Sequence, residues 1–242
     1  MISRWLVLIL ACAFVNHTMP ADRFIDGTID CVILLHGLTR TSRSMRQIEQ
    51  ALATQGFHVV NVDYPSRKYT VETLASLAIE EGINKCPSDS KINFVTHSLG
   101  GILVRYYFAV NTNARLGRVV MLAPPNQGSE VVDRLKDFPG FDLLNGPAGS
   151  QLGTGVGSVP MNLGAVDFEL GVIAGTATIN PILSQFLPNP DDGKVSVART
   201  KVAGMKDFVT VTHAHPFLMD APEVIELVIG FIKRGSFASR SD

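Results

Sequence analysis

The sequence predicts an α/β protein with a mostly parallel sheet of about six strands, covered by helices on both faces. Short apolar runs alternate with stretches in which apolar residues recur at helical spacing. The first run, residues 31–35, is apolar throughout and ends at His36-Gly37, as expected of a strand buried on both faces. The composition, 46% hydrophobic and 18% charged, is sufficient for a sizeable core. Strand–helix alternation of this kind favours right-handed crossovers between parallel strands.

The individual elements follow from spacing and from residues that end them. Met45, Ile48 and Leu52 lie on one face of the first predicted helix, which begins at Thr41 or Ser42, and Gly56 ends it. Pro124-Pro125 ends the fourth strand. The predicted strands are residues 31–35, 57–62, 92–96, 119–122, 170–174 and 208–212. The other predicted helices are residues 71–85, 98–110 and 224–232.

Residues 124–168 interrupt this alternation. They are rich in Gly and Pro, contain one short amphipathic piece with Val131, Val132, Leu135 and Phe138, and have no strand pattern. Connections of this length are often lids or binding loops. We therefore expect a single domain over residues 22–242, with a lid-like insertion at about 124–168.

The first residues have the pattern of a signal peptide. Arg4 is followed by the apolar run 5–15 and then by polar residues. This run is about half as long as the roughly 20 residues that a bilayer span requires. The pattern predicts a signal peptide over residues 1–21 and an exported protein, periplasmic or secreted. A buried N-terminal helix or an uncleaved membrane anchor is the alternative.

Charge and cysteine spacing exclude some partners. The formal net charge is −1, which argues against nucleic acid as the main partner. Nothing in the chain has the spacing of a zinc site or of a redox cysteine pair. We therefore expect no metal, no organic cofactor and no obligate protein partner.

The most informative segment is residues 96–101, THSLGG. A predicted strand ends at Thr96, a predicted helix begins just after Ser98, and small residues flank this serine. A turn this tight exposes the Ser98 hydroxyl beside a helix N-terminus, where free amides favour negative charge. This is the nucleophile elbow, with Thr96 where glycine is usual.

Residues 96–101, together with His36-Gly37-Leu38 after the first strand, resemble the α/β-hydrolase fold superfamily, and in particular its bacterial lipase and esterase branch. The resemblance spans about residues 30–234. These motifs are specific for the fold but not for a substrate. The resemblance implies acyl transfer through Ser98 as nucleophile, a histidine base and an acidic residue, in that family's chain order of Ser, acid, His.

Two histidines are candidates for the base. Only His213 and His215 follow Ser98 in the chain, and both come after the last predicted strand. His213 follows that strand most closely and is the favoured base, with His215 as the alternative. The pair has no third ligand that would indicate a metal site.

The candidate acid lies in the loop after the predicted strand 170–174. Asp192 is followed by Gly193 and resembles the acid turn of lipases, so Asp192 is favoured and Asp191 is the alternative. Asp167 and Asp207 are less suitable because each precedes a strand. By the same resemblance, the backbone N–H groups of Leu38 and Leu99 form the oxyanion hole.

Two further features are less specific. In the α/β-hydrolase fold the first and third strands are parallel neighbours, which implies a disulfide between Cys31 and Cys86, at the start of these strands. Arg40, Arg43 and Arg46 lie on one side of the first helix. They form a solvated face, or else contact an anionic headgroup or carboxylate.

The expected function is the hydrolysis of carboxylic esters, of esterase or lipase type, on a small-molecule ester or lipid substrate. The apolar residues of the insertion suit an acyl chain. Two alternatives remain: an acyltransferase that uses the same acyl-enzyme, and a binding protein without catalysis.

Overall fold

A computed structural model describes residues 29–238. The predicted signal peptide therefore lies outside the described residues. Six parallel strands form one sheet in the order β2-β1-β3-β4-β5-β6, which confirms the predicted fold class. The strands are β1 (Cys31–Leu35), β2 (His58–Val62), β3 (Ile92–His97), β4 (Leu116–Leu122), β5 (Leu170–Gly175) and β6 (Asp207–Val211).

Helices cover both faces of this sheet. They are α1 (Arg46–Thr54), α2 (Val71–Lys85), α3 (Leu99–Val110), α4 (Glu130–Leu135), α5 (Phe141–Ser150), α6 (Val159–Asn162), α7 (Pro181–Ser184), α8 (Val197–Thr200) and α9 (Pro222–Arg234), with short 3-10 helices at Ser42–Met45 and His215–Asp220. The predicted boundaries hold closely for α2 and α3.

The core consists of two apolar layers, one on each face of the sheet. In β1, Ile33 and Leu35 pack with residues of α2 and α3, whereas Val32 and Leu34 pack with α1 and α9. Every residue of β1 is buried. Because successive side chains of a strand point to opposite faces, only an uninterrupted apolar run can satisfy both layers.

The structure differs from the prediction at β4 and in residues 124–168. Strand β4 begins at Leu116, not at 119, because its first three residues are only half-buried and lack the apolar signal of a central strand. Residues 124–168, all of which the structure describes, contain α4, α5 and α6 and no strand. Helix α5 is kinked at Gly146 and contains Pro147, which conceals its helical pattern in the sequence.

Cys31 and Cys86 form a disulfide at the amino end of β1, with their Cα atoms 5.8 Å apart. Cys31 begins β1 and Cys86 follows α2, so this link lies at the edge opposite the carboxyl ends of the strands. Within residues 29–238, no helix has the length and hydropathy required to span a membrane.

Candidate active site

Ser98 occupies the turn between β3 and α3. Its backbone has φ 53° and ψ −116°, a conformation that non-glycine residues rarely adopt. Its N–H donates to the carbonyl of Leu122 at 2.9 Å, and its carbonyl accepts from the N–H of Gly101 at 3.0 Å. Strain of this kind persists only where the surrounding structure determines the backbone, and it is typical of functional sites.

The small residues after Ser98 allow α3 to approach the sheet. A Cβ atom on Gly100 would lie 2.7 Å from the carbonyl oxygen of Leu35, and one on Gly101 would lie 3.1 Å from the sulfur of Met121. Thr96, which stands where glycine is usual, is fully buried at the end of β3.

Asp192 is buried and its carboxylate accepts three hydrogen bonds. Oδ1 accepts the backbone N–H groups of Lys194 at 3.0 Å and Val195 at 2.8 Å, and Oδ2 accepts Nδ1 of His215 at 2.7 Å. The two backbone donors bind Oδ1 and fix the plane of the carboxylate, so Oδ2 faces the histidine. This is the relation between acid and base that an acyl-transfer site requires.

The structure brings His215, and not His213, to this carboxylate. The N–H of His213 donates to the carbonyl of Val211 in a tight turn after β6, and the His213 ring lies 3.4 Å from the carboxylate of Glu223. The backbone N–H of His215 donates to the carbonyl of Asp192 at 3.0 Å, so main chain and ring are both joined to the acid. Of the two histidines favoured or considered from the sequence, the structure pairs His215, the alternative, with Asp192, and pairs His213 with Glu223.

The carboxylate of Asp191 has partners other than the two histidines. Its Oδ2 accepts from the Ser184 hydroxyl at 2.6 Å, and its Oδ1 accepts from the N–H of Gly193 at 2.7 Å. It therefore stabilises the turn that carries Asp192. The two remaining acidic candidates are also remote from the histidines: Asp207 begins β6 and accepts from the N–H of Phe237 at 2.7 Å, and Asp167 precedes β5.

The loop after β1 lies directly against the elbow. A Cβ atom on Gly37 would lie 2.7 Å from Nδ1 of His97 and 3.3 Å from Cβ of Ser98. Thr39 has φ 59°, and its N–H donates to the Ser66 hydroxyl. Leu38 and Ser98 both line one cavity. Leu99 begins α3, where N–H groups have no acceptor within the helix.

His97, next to Ser98, contacts the loop that carries His215. Its Nε2 lies 3.1 Å from the carbonyl of His215 and must carry the proton, because a carbonyl only accepts. The two rings are 4.8 Å apart. Burial, followed by the charge of a protonated His215, lowers the pKa of His97 well below its ordinary value. His97 is therefore neutral at pH 7 and Nδ1 carries no proton.

A cavity of about 570 Å³ joins these groups. Ser98, His97 and His215 lie on its floor, and segment 124–168 contributes most of its apolar wall. The volume is typical of sites that bind small molecules. The wall residues are Val131, Val132, Leu135, Phe138, Phe141, Leu144 and Leu152.

The model of the alpha/beta hydrolase family matches residues 32–229, which is most of the chain. The chain belongs to the alpha/beta hydrolase family. No curated protein sequence matches it. Membership supports hydrolase activity.

Solved structures share the fold of this alpha/beta hydrolase. A lipase from Bacillus licheniformis is 16% identical with a TM-score of 0.65, over 87% of this chain and 93% of that one. A metagenomic carboxyl esterase is 17% identical with a TM-score of 0.60, over 84% and 70%. A phospholipase from Legionella pneumophila is 21% identical with a TM-score of 0.55, over 72% of this chain and 46% of that one.

Sequence reasoning missed one supporting pair in this alpha/beta hydrolase. The ring of His36 stacks on Tyr64 at 4.1 Å, and the Tyr64 hydroxyl donates to the His36 carbonyl. Nδ1 of His36 donates to the carbonyl of Gly37 at 2.9 Å, and burial lowers the His36 pKa. The pair fixes the loop that carries Leu38. No single motif contains both residues, so only the parallel pairing of β1 with β2 could have indicated it.

The described part of the chain contains no group of three or more His, Cys, Asp or Glu side chains that could hold a metal ion.

Proposed function

We propose that this chain is a serine hydrolase that cleaves carboxylic esters through Ser98, Asp192 and His215. The observation that carries the proposal is the hydrogen bond of 2.7 Å between Asp192 and His215, at the cavity that Ser98 also lines. The strained backbone of Ser98 and membership of the alpha/beta hydrolase family support the same role.

In the proposed mechanism the Ser98 hydroxyl attacks the ester carbonyl while Nε2 of His215 takes its proton. Asp192 holds Nδ1–H of His215, which orients the ring and stabilises the imidazolium. The N–H groups of Leu38 and Leu99 stabilise the oxyanion. His215 then returns the proton to the departing alcohol, and water repeats the cycle on the acyl-enzyme.

The apolar wall supports an acyl chain as the portion of the substrate that occupies the cavity. Seven of the apolar lining residues belong to segment 124–168, which we propose as the insertion that selects the chain. Burying an acyl chain against them contributes about 0.8 kcal/mol per methylene group. We therefore expect esters with more than a few carbons to be better substrates than acetates.

The test uses p-nitrophenyl esters from acetate to palmitate, with the wild-type protein beside Ser98→Ala. We expect hydrolysis by the wild type, its loss in Ser98→Ala, and labelling of Ser98 by a fluorophosphonate. Absence of both turnover and labelling would contradict the proposal and favour a binding protein. Labelling without turnover on any ester would favour the acyltransferase alternative.

We further propose that residues 1–21 direct export and that residues 22–242 fold as one domain. The Cys31–Cys86 disulfide supports export, because such bonds persist in oxidising compartments. Sequencing the N-terminus of the protein recovered from periplasm or medium tests the proposal. A full-length cytosolic protein with two titratable thiols at Cys31 and Cys86 would contradict it.

A further inference from the structure

Two basic side chains line the cavity beside its apolar wall. Arg40 lies in the loop after β1, and Lys194 lies two residues after Asp192. Among the described residues that line the cavity there is no Asp or Glu. Neither cation has a part in the proton transfers described above, so their position requires another explanation.

Hydrogen bonds of the Lys194 backbone and of the Arg40 side chain hold the two cations beside the proposed catalytic groups. The N–H of Lys194 donates to Asp192 at 3.0 Å, and its carbonyl accepts from the Ser129 hydroxyl at 2.7 Å. The guanidinium of Arg40 lies 3.5 Å from the carbonyl of Pro216, the residue after His215. Arg40 therefore extends from the loop that carries Leu38 to the loop that carries His215.

The two cations share one region of electrostatic potential. Charges on Arg40 and Lys194 both contribute to the lowered pKa of His97, so both lie near the elbow. Desolvation and then the Arg40 charge lower the pKa of Lys194, with Asp192 opposing, although the Lys194 and Arg40 side chains are both accessible to solvent. Within residues 29–238, neither cation forms an ion pair with a carboxylate. Like charges held together in this way favour an anion between them.

Both cations lie close to the histidine loop, since Arg40 contacts Pro216 and Lys194 follows Asp192, the partner of His215. His215 gives its proton to that alcohol in the proposed mechanism, and Arg40 contacts the residue after His215. In the proposed function the acyl chain packs against the apolar wall from segment 124–168, so the charged residues are left for another part of the substrate. A phosphate monoester carries nearly two negative charges and three acceptor oxygens, so it can balance both cations at once, whereas a carboxylate carries a single charge.

We propose that Arg40 and Lys194 bind a phosphate on the alcohol portion of the substrate. The substrate class is then an apolar acyl ester of a phosphorylated alcohol, either a lipid or a soluble ester. This inference rests on the proposed ester hydrolysis and names its substrate class.

The test compares two substrates that differ only in the phosphate: octanoylglycerol phosphate and octanoylglycerol, both as monomers in solution. We expect kcat/KM to be about tenfold higher for the phosphorylated ester, the effect of one or two charge-assisted hydrogen bonds. This preference should fall about tenfold in Arg40→Gln with Lys194→Gln, and it should weaken as salt concentration rises.

Arg43→Gln is the matched control. Arg43 is a basic, exposed residue three positions after Arg40, and it does not line the cavity. We expect it to retain the preference. Melting temperatures of all variants establish that they are folded. Preference for the long-chain palmitoyl analogue in vesicles but not for the octanoyl monomer would indicate attraction to a lipid surface and overturn the inference.

The failure of this inference is distinguishable from failure of the proposed function. Equal kcat/KM for both octanoyl esters, with activity still abolished by Ser98→Ala, would overturn the phosphate site and leave ester hydrolysis intact. A preference unchanged by Arg40→Gln with Lys194→Gln would also overturn it. Absence of turnover on both esters, without fluorophosphonate labelling, would overturn both.

Discussion

The carboxyl edge of the sheet and segment 124–168 face the same cavity but are built differently. At the edge, Asp192 and His215 are buried, and three hydrogen bonds fix the carboxylate. In the segment, Phe138 and Leu144 line the cavity with 64% and 63% of their surface exposed. The edge thus holds the proposed catalytic groups rigidly, whereas part of the segment's apolar wall is exposed; Val131 and Leu152 in the same wall are buried.

The segment is nevertheless anchored to the body of the protein. Gln151 accepts from the N–H of Val71 at 2.7 Å and donates to the Glu72 carboxylate at 3.0 Å, at the start of α2. A Cβ atom on Gly146 would lie 1.9 Å from the carbonyl oxygen of Arg67. These anchors hold the segment at the start of α2 and at Arg67, while Phe138 and Leu144 remain mostly exposed. We therefore expect substitutions at the sheet edge to affect turnover, and substitutions of the exposed wall residues to affect which acyl chain is preferred.

The largest expected effect separates two histidines at the edge. We expect His215→Ala to reduce kcat by at least about a thousandfold, because it removes the proposed base, which Asp192 orients. His213→Ala should stay within about twofold, because its ring pairs with Glu223 at the surface. Steady-state hydrolysis of p-nitrophenyl butyrate measures both.

The opposite result is informative. If His213→Ala abolishes turnover while His215→Ala retains it, the pairing of Asp192 with His215 is structural and the assignment of the base is wrong. Circular dichroism and the melting temperature establish that each variant is folded before its kcat is compared.

The same substitution in the two regions tests how rigid each is. In Gly100→Ala the new methyl group meets the carbonyl of Leu35 at 2.7 Å, so we expect a loss of about 1–3 kcal/mol in the free energy of unfolding. In Gly155→Ala nothing lies within 4 Å of the new group. That variant should be neutral or slightly stabilised. Urea denaturation measures both; equal losses would contradict the distinction.

A smaller effect concerns selection by the exposed wall. We expect Phe138→Ala with Leu144→Ala to lower kcat/KM for the octanoate ester about three- to tenfold and to change acetate hydrolysis less than twofold. The melting temperature should hardly change because both side chains are mostly exposed. Val156→Ala is the control, since Val156 is 88% exposed and does not line the cavity. An equal loss for both esters would show that the wall does not bind the acyl chain.

The sequence predicts the sheet well because burial on both faces leaves little choice of residue. Strand β1 is buried at every position and its predicted boundaries hold, whereas β4 extends three residues further into half-buried chain. Helix α5 was not predicted, because Gly146 and Pro147 are residues that ordinarily end a helix. Apolar spacing therefore predicts buried strands and regular helices, and it fails where a strand is half-buried or a helix is kinked.

The site is predictable where one motif contains it. Ser98 lies within a continuous segment, so strand, turn and helix identify it together. The histidine lies in a loop after β6, where only the tertiary contact with Asp192 distinguishes His215 from His213. Distance from the strand end favours His213, but the turn at Val211 directs it to the surface. A choice between residues two apart in a loop depends on packing that local spacing does not encode.

The smallest expected effect concerns His97, which lies at the carboxyl edge of the sheet, next to Ser98. Burial depresses its pKa in the folded protein, whereas the unfolded chain binds a proton near pH 6.5. The unfolded state therefore holds more protons below this pH, and the free energy of unfolding falls as pH falls. Between pH 7 and pH 6, this one group accounts for about 0.7 kcal/mol.

His97→Asn should remove that share of the pH dependence, whatever it does to stability at pH 7. Thr96→Val is the control for packing, because Thr96 is a buried neighbour that does not titrate. It should change stability without changing the slope. Urea denaturation at pH 6 and pH 7 measures all three proteins. Identical slopes for the wild type and His97→Asn would mean that His97 is protonated in the folded state, and the neutral ring inferred from its contact with the His215 carbonyl would then be wrong.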